Sequence, residues 1–171
     1  MKAMKQLVPR STLVILLVLT SVILDQITKG VAIRTLRSTP PLQYLGGTFR
    51  FEYAENPGAF LSLGASLSSE TRFWFLTVVI GLFLVFFLYY LLSQNKMLKL
   101  QTWGLSLVIG GGLSNLLDRM FRTQGKVVDF MNLGVGSLRT GIFNVADVAI
   151  MVGIGVFMLS YWQEEKDKKK S

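Results

Sequence analysis

The chain of 171 residues contains no cysteine and no histidine. Without cysteine it has no disulfide, no thiol nucleophile and no thiolate metal site. Without histidine it lacks the usual general base and the commonest metal ligand. The sequence also has no internal repeat, and its one low-complexity segment is the lysine-rich C-terminal tail. Side-chain chemistry is therefore left to Asp, Glu, Lys, Ser and Tyr.

Charge is scarce as well. Asp, Glu, Lys and Arg make up 16% of the residues, 51% are hydrophobic, and mean hydropathy is +0.48. Such a chain is too apolar for an ordinary soluble domain and too short for two domains, so we expect one integral membrane domain over residues 1–171. The net charge of +8 comes from basic residues beside apolar runs, which anionic headgroups favour. We therefore expect membrane lipids, and no nucleic acid, as partners.

Four apolar stretches have about the 20 residues that a helix needs to cross the hydrocarbon: 13–33, 73–92, 100–120 and 142–162. Basic residues precede the first stretch, as in a signal peptide, but no small-residue cleavage site follows Leu24. We therefore expect a retained helix. The predicted fold class is an all-α membrane protein with four transmembrane helices, a small β-sheet on the outer side and a surface loop.

The distribution of basic residues predicts the orientation. Lysine and arginine are dense in the N-terminal tail, in the link with Lys96 and Lys99, and in the C-terminal tail, so these parts are expected in the cytoplasm. The longer connections, 34–72 and 121–141, are then outside. In the first of them, residues 42–53 are typical of short strands around a Gly-Gly turn. The Pro57-Gly58 pair that follows predicts a turn holding Asn56 in place.

Two charged residues of the first stretch are four positions apart. Asp25 and Lys29 share one helix face, and pairing is the least costly way to keep both at membrane depth. The pair is read either as structural or as catalytic. A serine/lysine protease using Lys29 with Ser62 or Ser66 would need a free lysine, whereas Asp25 is positioned to bind it.

The third stretch carries GGGLSNLLDR at its outer end. Residues 110–112 are all glycine and permit close approach of another helix. Asn115, Asp118 and Arg119 are expected on one face. This face is either a packing seam capped by an interfacial Asp118–Arg119 pair or part of a functional site.

Two further aspartates point to acid/base chemistry. Asp147 follows Asn144 by three residues and is expected on the same helix face. At roughly 1.5 Å per residue, it would lie about 7 Å below a helix start at Ile142. No basic residue is near Asp147 in sequence. Asp129 ends a β-branched run and supplies a partner. Each is either a capping or turn aspartate or half of a pair. Two adjacent carboxylates do not both ionise easily, so one keeps a proton while the other activates water against a peptide carbonyl.

With these residues identified, the chain resembles the lipoprotein signal peptidases (signal peptidase II). The shared blocks are, in order, DQITK at 25–29, NPGA at 56–59, NLLDR at 115–119, GKVVDF at 125–130 and FNVAD at 143–147. The resemblance implies an aspartic endopeptidase of the bacterial inner membrane, with both termini cytoplasmic and the active site facing the periplasm. Its substrates would be diacylglyceryl-modified prolipoproteins, cut just before the lipidated cysteine. We expect a monomer that needs neither metal nor cofactor.

Motif matching also implies the site. The catalytic pair would be Asp129 and Asp147; the substrate-binding or supporting residues would be Asn56, Gly58, Asn115, Asp118, Arg119, Asn144, Asp25 and Lys29. The chain departs from the family pattern in two places. It has NPGAFLS where NxGAAFS is usual, with Phe60 and Leu61 in place of Ala and Phe, and Ser114 where glycine commonly precedes the asparagine. These departures concern the covering loop and the approach of helices.

Two other membrane classes fit less well. A transporter or channel typically shows inverted repeats and broken helices, which this sequence lacks. An intramembrane aspartic protease of the presenilin type would carry GxGD, whereas the nearest string, at 134–137, is GVGS.

Overall fold

The computed structural model describes residues 9–59, 63–94 and 97–169. Phe60, Leu61, Ser62 and Lys96 lie outside the described residues. The elements, in chain order, are α1 (Arg10–Leu36), β1 (Leu42–Tyr44), β2 (Phe49–Asn56), α2 (Ser69–Ser93), α3 (Lys99–Phe121), β3 (Val127–Val135), β4 (Leu138–Arg139) and α4 (Val145–Lys168). Within α2, Phe73–Val79 has wider π-helical spacing, and a 3₁₀ turn, Thr123–Gly125, joins α3 to β3.

Three helices of the described chain, α1, α2 and α4, are long and apolar enough to cross a membrane. Helix α3 also lies where the sequence predicts a span, and it has 23 residues, but it is not among the three. The reason is its composition: Gln101, Thr102, Ser106 and Ser114 are buried along it. Helix α3 packs against all three other helices, so much of its surface contacts protein instead of lipid. It therefore does not need to be apolar all round.

The three consecutive glycines of α3 each face a different helix. A methyl group at Gly110 would come 2.7 Å from Cβ of Ser21 in α1, and one at Gly112 would come 2.6 Å from Cδ2 of Leu84 in α2. At Gly111 it would overlap the carbonyl oxygen of Ala146 in α4. The predicted close approach of helices is therefore confirmed, and it brings the backbone of α3 against the first turn of α4.

The sheet has four antiparallel strands in the order β1-β2-β3-β4. The predicted hairpin is present, with Tyr44 opposite Phe49, and its turn uses Gly46 and Gly47, both at positive φ. Strands β3 and β4 were not predicted. The β-branched run that Asp129 ends is the start of the nine-residue strand β3, which continues past Asp129 and places it third in the strand, opposite Ala54.

The sheet is fixed against one end of α1. Phe130 of β3 packs with Ala32 and Leu36 of α1, and Phe51 and Tyr53 of β2 cover this cluster. Side chains alternate between the two faces of a strand, so the apolar Phe130 and its neighbour Asp129 point to opposite sides. Packing of Phe130 on α1 therefore fixes the side on which Asp129 is found.

The last helix begins later than predicted, at Val145 instead of Ile142. Asn144 is its N-cap: its side-chain oxygen accepts a hydrogen bond from the Asp147 N–H, and the Asp147 carboxylate accepts one from the Asn144 N–H. This reciprocal cap satisfies two backbone donors at the helix start. Phe143 is instead bridged to Met131 of β3. Asp147 thus lies in the first turn of α4, not below it.

Candidate active site

One asparagine joins the two aspartates that the sequence singles out. The Asn144 side-chain amide donates to Oδ1 of Asp129 at 2.6 Å, while the Asn144 backbone N–H donates to Oδ2 of Asp147 at 3.1 Å. Asn144 is fully buried, and Asp129 is 2% exposed. The structure therefore brings a strand carboxylate and a helix carboxylate around a single capping residue.

Asp129 accepts a second hydrogen bond from Asn56, the last residue of β2. The Asn56 amide donates to its Oδ2 at 3.0 Å and to the carbonyl of Ala59 at 3.1 Å, while Asn56 Oδ1 accepts from the Gly58 N–H at 2.9 Å. The predicted turn therefore does orient Asn56. Burial and the charge of Asp147 raise the pKa of Asp129, the hydrogen bonds from Asn56 and Asn144 lower it, and the net result is a rise from the usual 3.8 to about 7.

Asp147 is held in a more polar setting. Its Oδ1 accepts from the Asn115 amide at 3.0 Å, and its position in the first turn of α4 places it at the positive end of the helix dipole. Asn115 is itself oriented, because its side-chain oxygen accepts from Lys29 at 2.8 Å and from Asn144 at 3.1 Å. A continuous line of contacts thus runs from Lys29 through Asn115 to Asp147.

A second group of charged residues, Asp25, Lys29 and Asp118, forms a buried ion cluster near Asp129 and Asp147. Nζ of Lys29 is 2.7 Å from Oδ2 of Asp25 and 2.9 Å from Oδ2 of Asp118, and all three side chains are 0% or 1% exposed. The other oxygen of Asp25 accepts from the Ala146 N–H at 2.8 Å, at the start of α4. Because Lys29 already contacts Asp25, Asp118 and Asn115, it is not a free base, which argues against the serine/lysine alternative.

Of the two alternatives for this face, the one in which Asp118 pairs with Arg119 is wrong. Asp118 instead binds Lys29, accepts from Nε of Arg122 at 2.6 Å, and accepts from the Val128 N–H at 3.1 Å. It therefore anchors β3, the strand that carries Asp129, to α3. Arg119 turns the other way: it donates to the carbonyl of Gly58 at 2.6 Å and to that of Gly125 at 3.2 Å.

Two polar residues near this cluster, Ser114 and Gln26, form hydrogen bonds that were not predicted. Ser114 donates to Oδ2 of Asp25 at 2.7 Å, and the Gln26 amide donates to Ser114 Oγ at 3.0 Å and to Asp118 Oδ1 at 3.1 Å. Ser114 was visible as a departure from the family pattern. Gln26 had a weaker signal, namely an amide inside an apolar span next to Asp25, where an unpaired polar group is costly.

A cavity of about 370 Å³ opens beside Asp147. Asn115 and Arg119 also line it, but most of its wall is apolar and comes from α2, α3 and α4, including Leu76, Ile80, Leu116, Ile150, Met151 and Ile154. An apolar cavity with a few converging polar groups at one end is the usual form of a binding site. The cavity can hold an apolar group while a polar group bound at its polar end contacts Asp147.

Three helices of spanning length, with a polar site enclosed by the bundle they form, make this chain a multi-pass membrane protein. The particular family follows from sequence comparison. The profile of the family described as Signal peptidase (SPase) II matches residues 17–163, so the chain belongs to the signal peptidase II family. The resemblance inferred from the motifs is confirmed, and family membership makes the chain a peptidase.

Curated relatives match along most of the chain. It is 33% identical over 152 residues to a lipoprotein signal peptidase of Syntrophotalea carbinolica, covering 88% of this chain and 92% of the relative. It is 30% identical over 149 residues to one of Halalkalibacterium halodurans, covering 87% and 91%. A solved structure described as a bacterial membrane enzyme matches with a TM-score of 0.80 at 23% identity, covering 94% of this chain and 93% of the other. That likeness concerns the fold.

The raised pKa of Asp129 predicts how stability depends on pH. The folded chain binds this proton more tightly than the unfolded chain, so the contribution of Asp129 to stability is full below about pH 4 and is lost as pH rises to about 7. In Asp129→Asn, residue 129 does not titrate. We expect the unfolding temperature in neutral detergent to fall between pH 5 and 8 less steeply for this variant than for the wild type. Parallel pH profiles for the two proteins would contradict the assigned pKa.

Proposed function

We propose that the chain is an aspartic endopeptidase that removes signal peptides from diacylglyceryl-modified prolipoproteins, cutting just before the lipidated cysteine. The observation that carries this proposal is the convergence of Asp129 and Asp147 on Asn144, with Asp147 lining an apolar cavity. The names of the curated relatives, lipoprotein signal peptidases, support the substrate class.

The environments of the two aspartates suggest different roles. Asp147 is less buried than Asp129, lies at a helix start and accepts from Asn115, so of the two carboxyls it is the one that is ionised and takes a proton from the attacking water. Asp129, whose pKa is about 7, keeps its proton and acts as the acid. Water then adds to the peptide carbonyl, the carbon–nitrogen bond breaks, and the leaving amine receives a proton from the pair.

Amide and guanidinium groups around the pair are proposed to orient the substrate. Asn56 and Asn144 fix the Asp129 carboxyl, and Arg119 and Asn115 line the cavity at its polar end. A donor at that position stabilises the negative charge that develops on the carbonyl oxygen. All of these groups come from one chain, which supports function as a monomer.

The apolar cavity supports recognition of the lipid. Each buried acyl CH₂ contributes about 0.8 kcal/mol, so even partial burial of an acyl chain contributes substantially to affinity. The walls made by Leu76, Ile80 and Ile150 provide an apolar surface next to Asp147. Membrane lipids are expected to occupy the same surface when no substrate is bound.

Cleavage of matched substrates tests this function. A prolipoprotein peptide with a diacylglyceryl cysteine and the same peptide with an unmodified cysteine are assayed at equal concentrations in neutral detergent. We expect the lipidated peptide to be cleaved more than about 100-fold faster in kcat/KM, since the acyl methylenes are recognised only there. Equal rates would show that the lipid is not recognised. Cleavage elsewhere than before the cysteine would refute the assigned bond.

We also propose four membrane-spanning helices in a bacterial inner membrane, with both termini in the cytoplasm and the sheet and site facing the periplasm. The pattern of basic residues supports this orientation. Helix α3 is included as the fourth span because its 23 residues are long enough and its polar residues are buried against the other helices.

Cysteine labelling tests this orientation, because the chain has no cysteine of its own. Leu45→Cys, at the exposed turn of the β1–β2 hairpin, should react with an impermeant thiol reagent added to intact spheroplasts. Lys99→Cys, at the start of α3, should react only after the membrane is permeabilised. The reverse pattern would invert the proposed topology, and labelling of both sites in intact spheroplasts would rule out the four-span arrangement.

A further inference from the structure

A second, smaller pocket lies on the other side of Arg119 from the apolar cavity. It measures about 160 Å³ and is lined by Ser69, Arg72, Phe73, Thr77, Arg119, Gln124 and Gly125. Two arginines therefore face one small space. Neither forms an ion pair with any acidic side chain of the chain, all of which lie in the described ranges.

Within the described part of the chain, both guanidinium groups have N–H donors without a partner. Arg72 donates through Nη1 to the carbonyls of Ala65 and Leu67, and Arg119 donates through its two Nη atoms to Gly58 and Gly125. A guanidinium has five N–H donors, so Nε and Nη2 of Arg72 and Nε of Arg119 have no partner among the described residues. Backbone carbonyls satisfy donors without neutralising charge, and the pocket therefore retains two positive charges.

The remaining walls suit the same kind of ligand. Ser69 is the first residue of the 25-residue helix α2, so the positive end of that helix dipole adds to the field of the arginines. Gln124 also lines the pocket. Its backbone is in the left-handed conformation, φ +60°, which residues other than glycine adopt rarely. A small space with these groups matches a carboxylate, whose two oxygens accept paired hydrogen bonds from a guanidinium.

The position of the pocket relative to the apolar cavity indicates which part of a substrate reaches it. The cavity extends from Asp147 along α4 through Ile150 and Ile154. The pocket lies next to the start of α2 and the 3₁₀ turn before β3, away from Ile150 and Ile154. Arg119 lines both the pocket and the cavity. If the apolar part of a bound substrate occupies the cavity, the polar peptide chain that continues from it would pass Arg119 and reach the pocket.

Given the proposed function, we propose that this pocket binds an acidic side chain among the first three residues that follow the lipidated cysteine, with Arg72 as the residue that sets this specificity. An aspartate or glutamate there would accept hydrogen bonds from Arg72. The substrate preference would then favour prolipoproteins whose mature part begins with an acidic residue over those with a neutral one.

Paired lipidated peptides test the proposal in neutral detergent. They carry Asp or Asn at the first, second or third position after the cysteine, and kcat/KM is measured for each pair. At one position at least, we expect the wild-type enzyme to prefer Asp by about tenfold, the effect of one solvent-accessible charge-assisted hydrogen bond. Ratios near one at all three positions would refute the proposal, whereas failure to cleave any lipidated peptide would refute the proposed function instead.

Variants then assign the preference to Arg72. Arg72→Gln should bring the Asp/Asn ratio close to one, and Arg72→Glu should favour a Lys peptide over an Asp peptide. A folding defect lowers all rates together and does not reverse a ratio. The matched control is Arg37→Gln, which removes an arginine that is 62% exposed and lies outside the pocket, and it should keep the wild-type ratio. Loss of the ratio in the control would point to general charge instead.

An anionic lipid headgroup is the other ligand with suitable charge. If the pocket binds a headgroup, Arg72→Gln will lower activity only in micelles that contain phosphatidylglycerol, and the Asp/Asn ratio of the wild type will be near one. That result would overturn the assignment to the peptide. A ratio that is the same with and without phosphatidylglycerol, and that depends on Arg72, would support it.

Discussion

Replacement of either Asp129 or Asp147 with asparagine is expected to lower kcat for a lipidated peptide by about 10⁴-fold or more, because the proposed mechanism takes both acid and base from this pair. The double variant should lose little beyond either single one, since the two carboxyls act as a unit. Initial rates of cleavage with purified variants in neutral detergent provide the measurement.

The control for this prediction is Asp167→Asn, the same change at an exposed position near the end of α4. It should retain wild-type activity. Additive losses, in which the double variant is slower than the single ones by the product of their factors, would show that the aspartates act independently. Substantial activity in either single variant would place the chemistry on other residues.

Replacement of Lys29 with methionine is expected to have the largest effect on stability. The lysine is fully buried between Asp25 and Asp118, and its removal leaves the buried Asp25 without the cation that pairs with it, while Asp118 keeps its pair with Arg122. Removing one partner of a buried ion pair costs about 3–5 kcal/mol. We expect a large decrease in unfolding temperature and in the yield of folded protein, measured in neutral detergent.

The matched control is Lys126→Met, which breaks a pair with Glu55 at 3.5 Å in which both side chains are about one-third exposed. Such a pair contributes about 0–1 kcal/mol, so the unfolding temperature should change little. Equal effects of the two substitutions would contradict the role given to the buried cluster.

Asp25→Asn separates support from catalysis. Asp25 accepts hydrogen bonds from Ser114 and from the Ala146 N–H, and it binds Lys29, so its contacts hold helices together without reaching Asp129. The variant should be less stable, but its folded fraction should still cleave substrate. A variant that is as stable as the wild type yet inactive would move Asp25 into the catalytic set.

The buried cluster also suggests why so many polar residues are kept at this depth. Lys29 orients Asn115, which donates to Asp147, while Asp118 holds the N–H of Val128 next to Asp129. Each proposed catalytic aspartate is therefore positioned by a residue that contacts the same lysine. Fixed donors that need no rearrangement during reaction are an effective form of electrostatic stabilisation.

Sequence alone was sufficient for the features that depend on local pattern. Long apolar runs predicted the helices at their observed places, because a helix in a membrane must satisfy its own backbone and expose apolar side chains. The Gly46-Gly47 turn predicted the first hairpin, and three adjacent glycines predicted close helix contacts. The motif blocks identified the family, and the cost of unpaired carboxylates drew attention to Asp129 and Asp147.

Tertiary structure decided which groups meet. Asp118 pairs with Lys29 and Arg122 instead of its neighbour Arg119, since the partners come from another helix or from the next turn. Asn144 became a helix cap, which shifted the start of α4, because β3 pairs with Phe143 just before it. Partner choice depends on contacts between residues far apart in sequence, and these are fixed only when the helices and the sheet pack together.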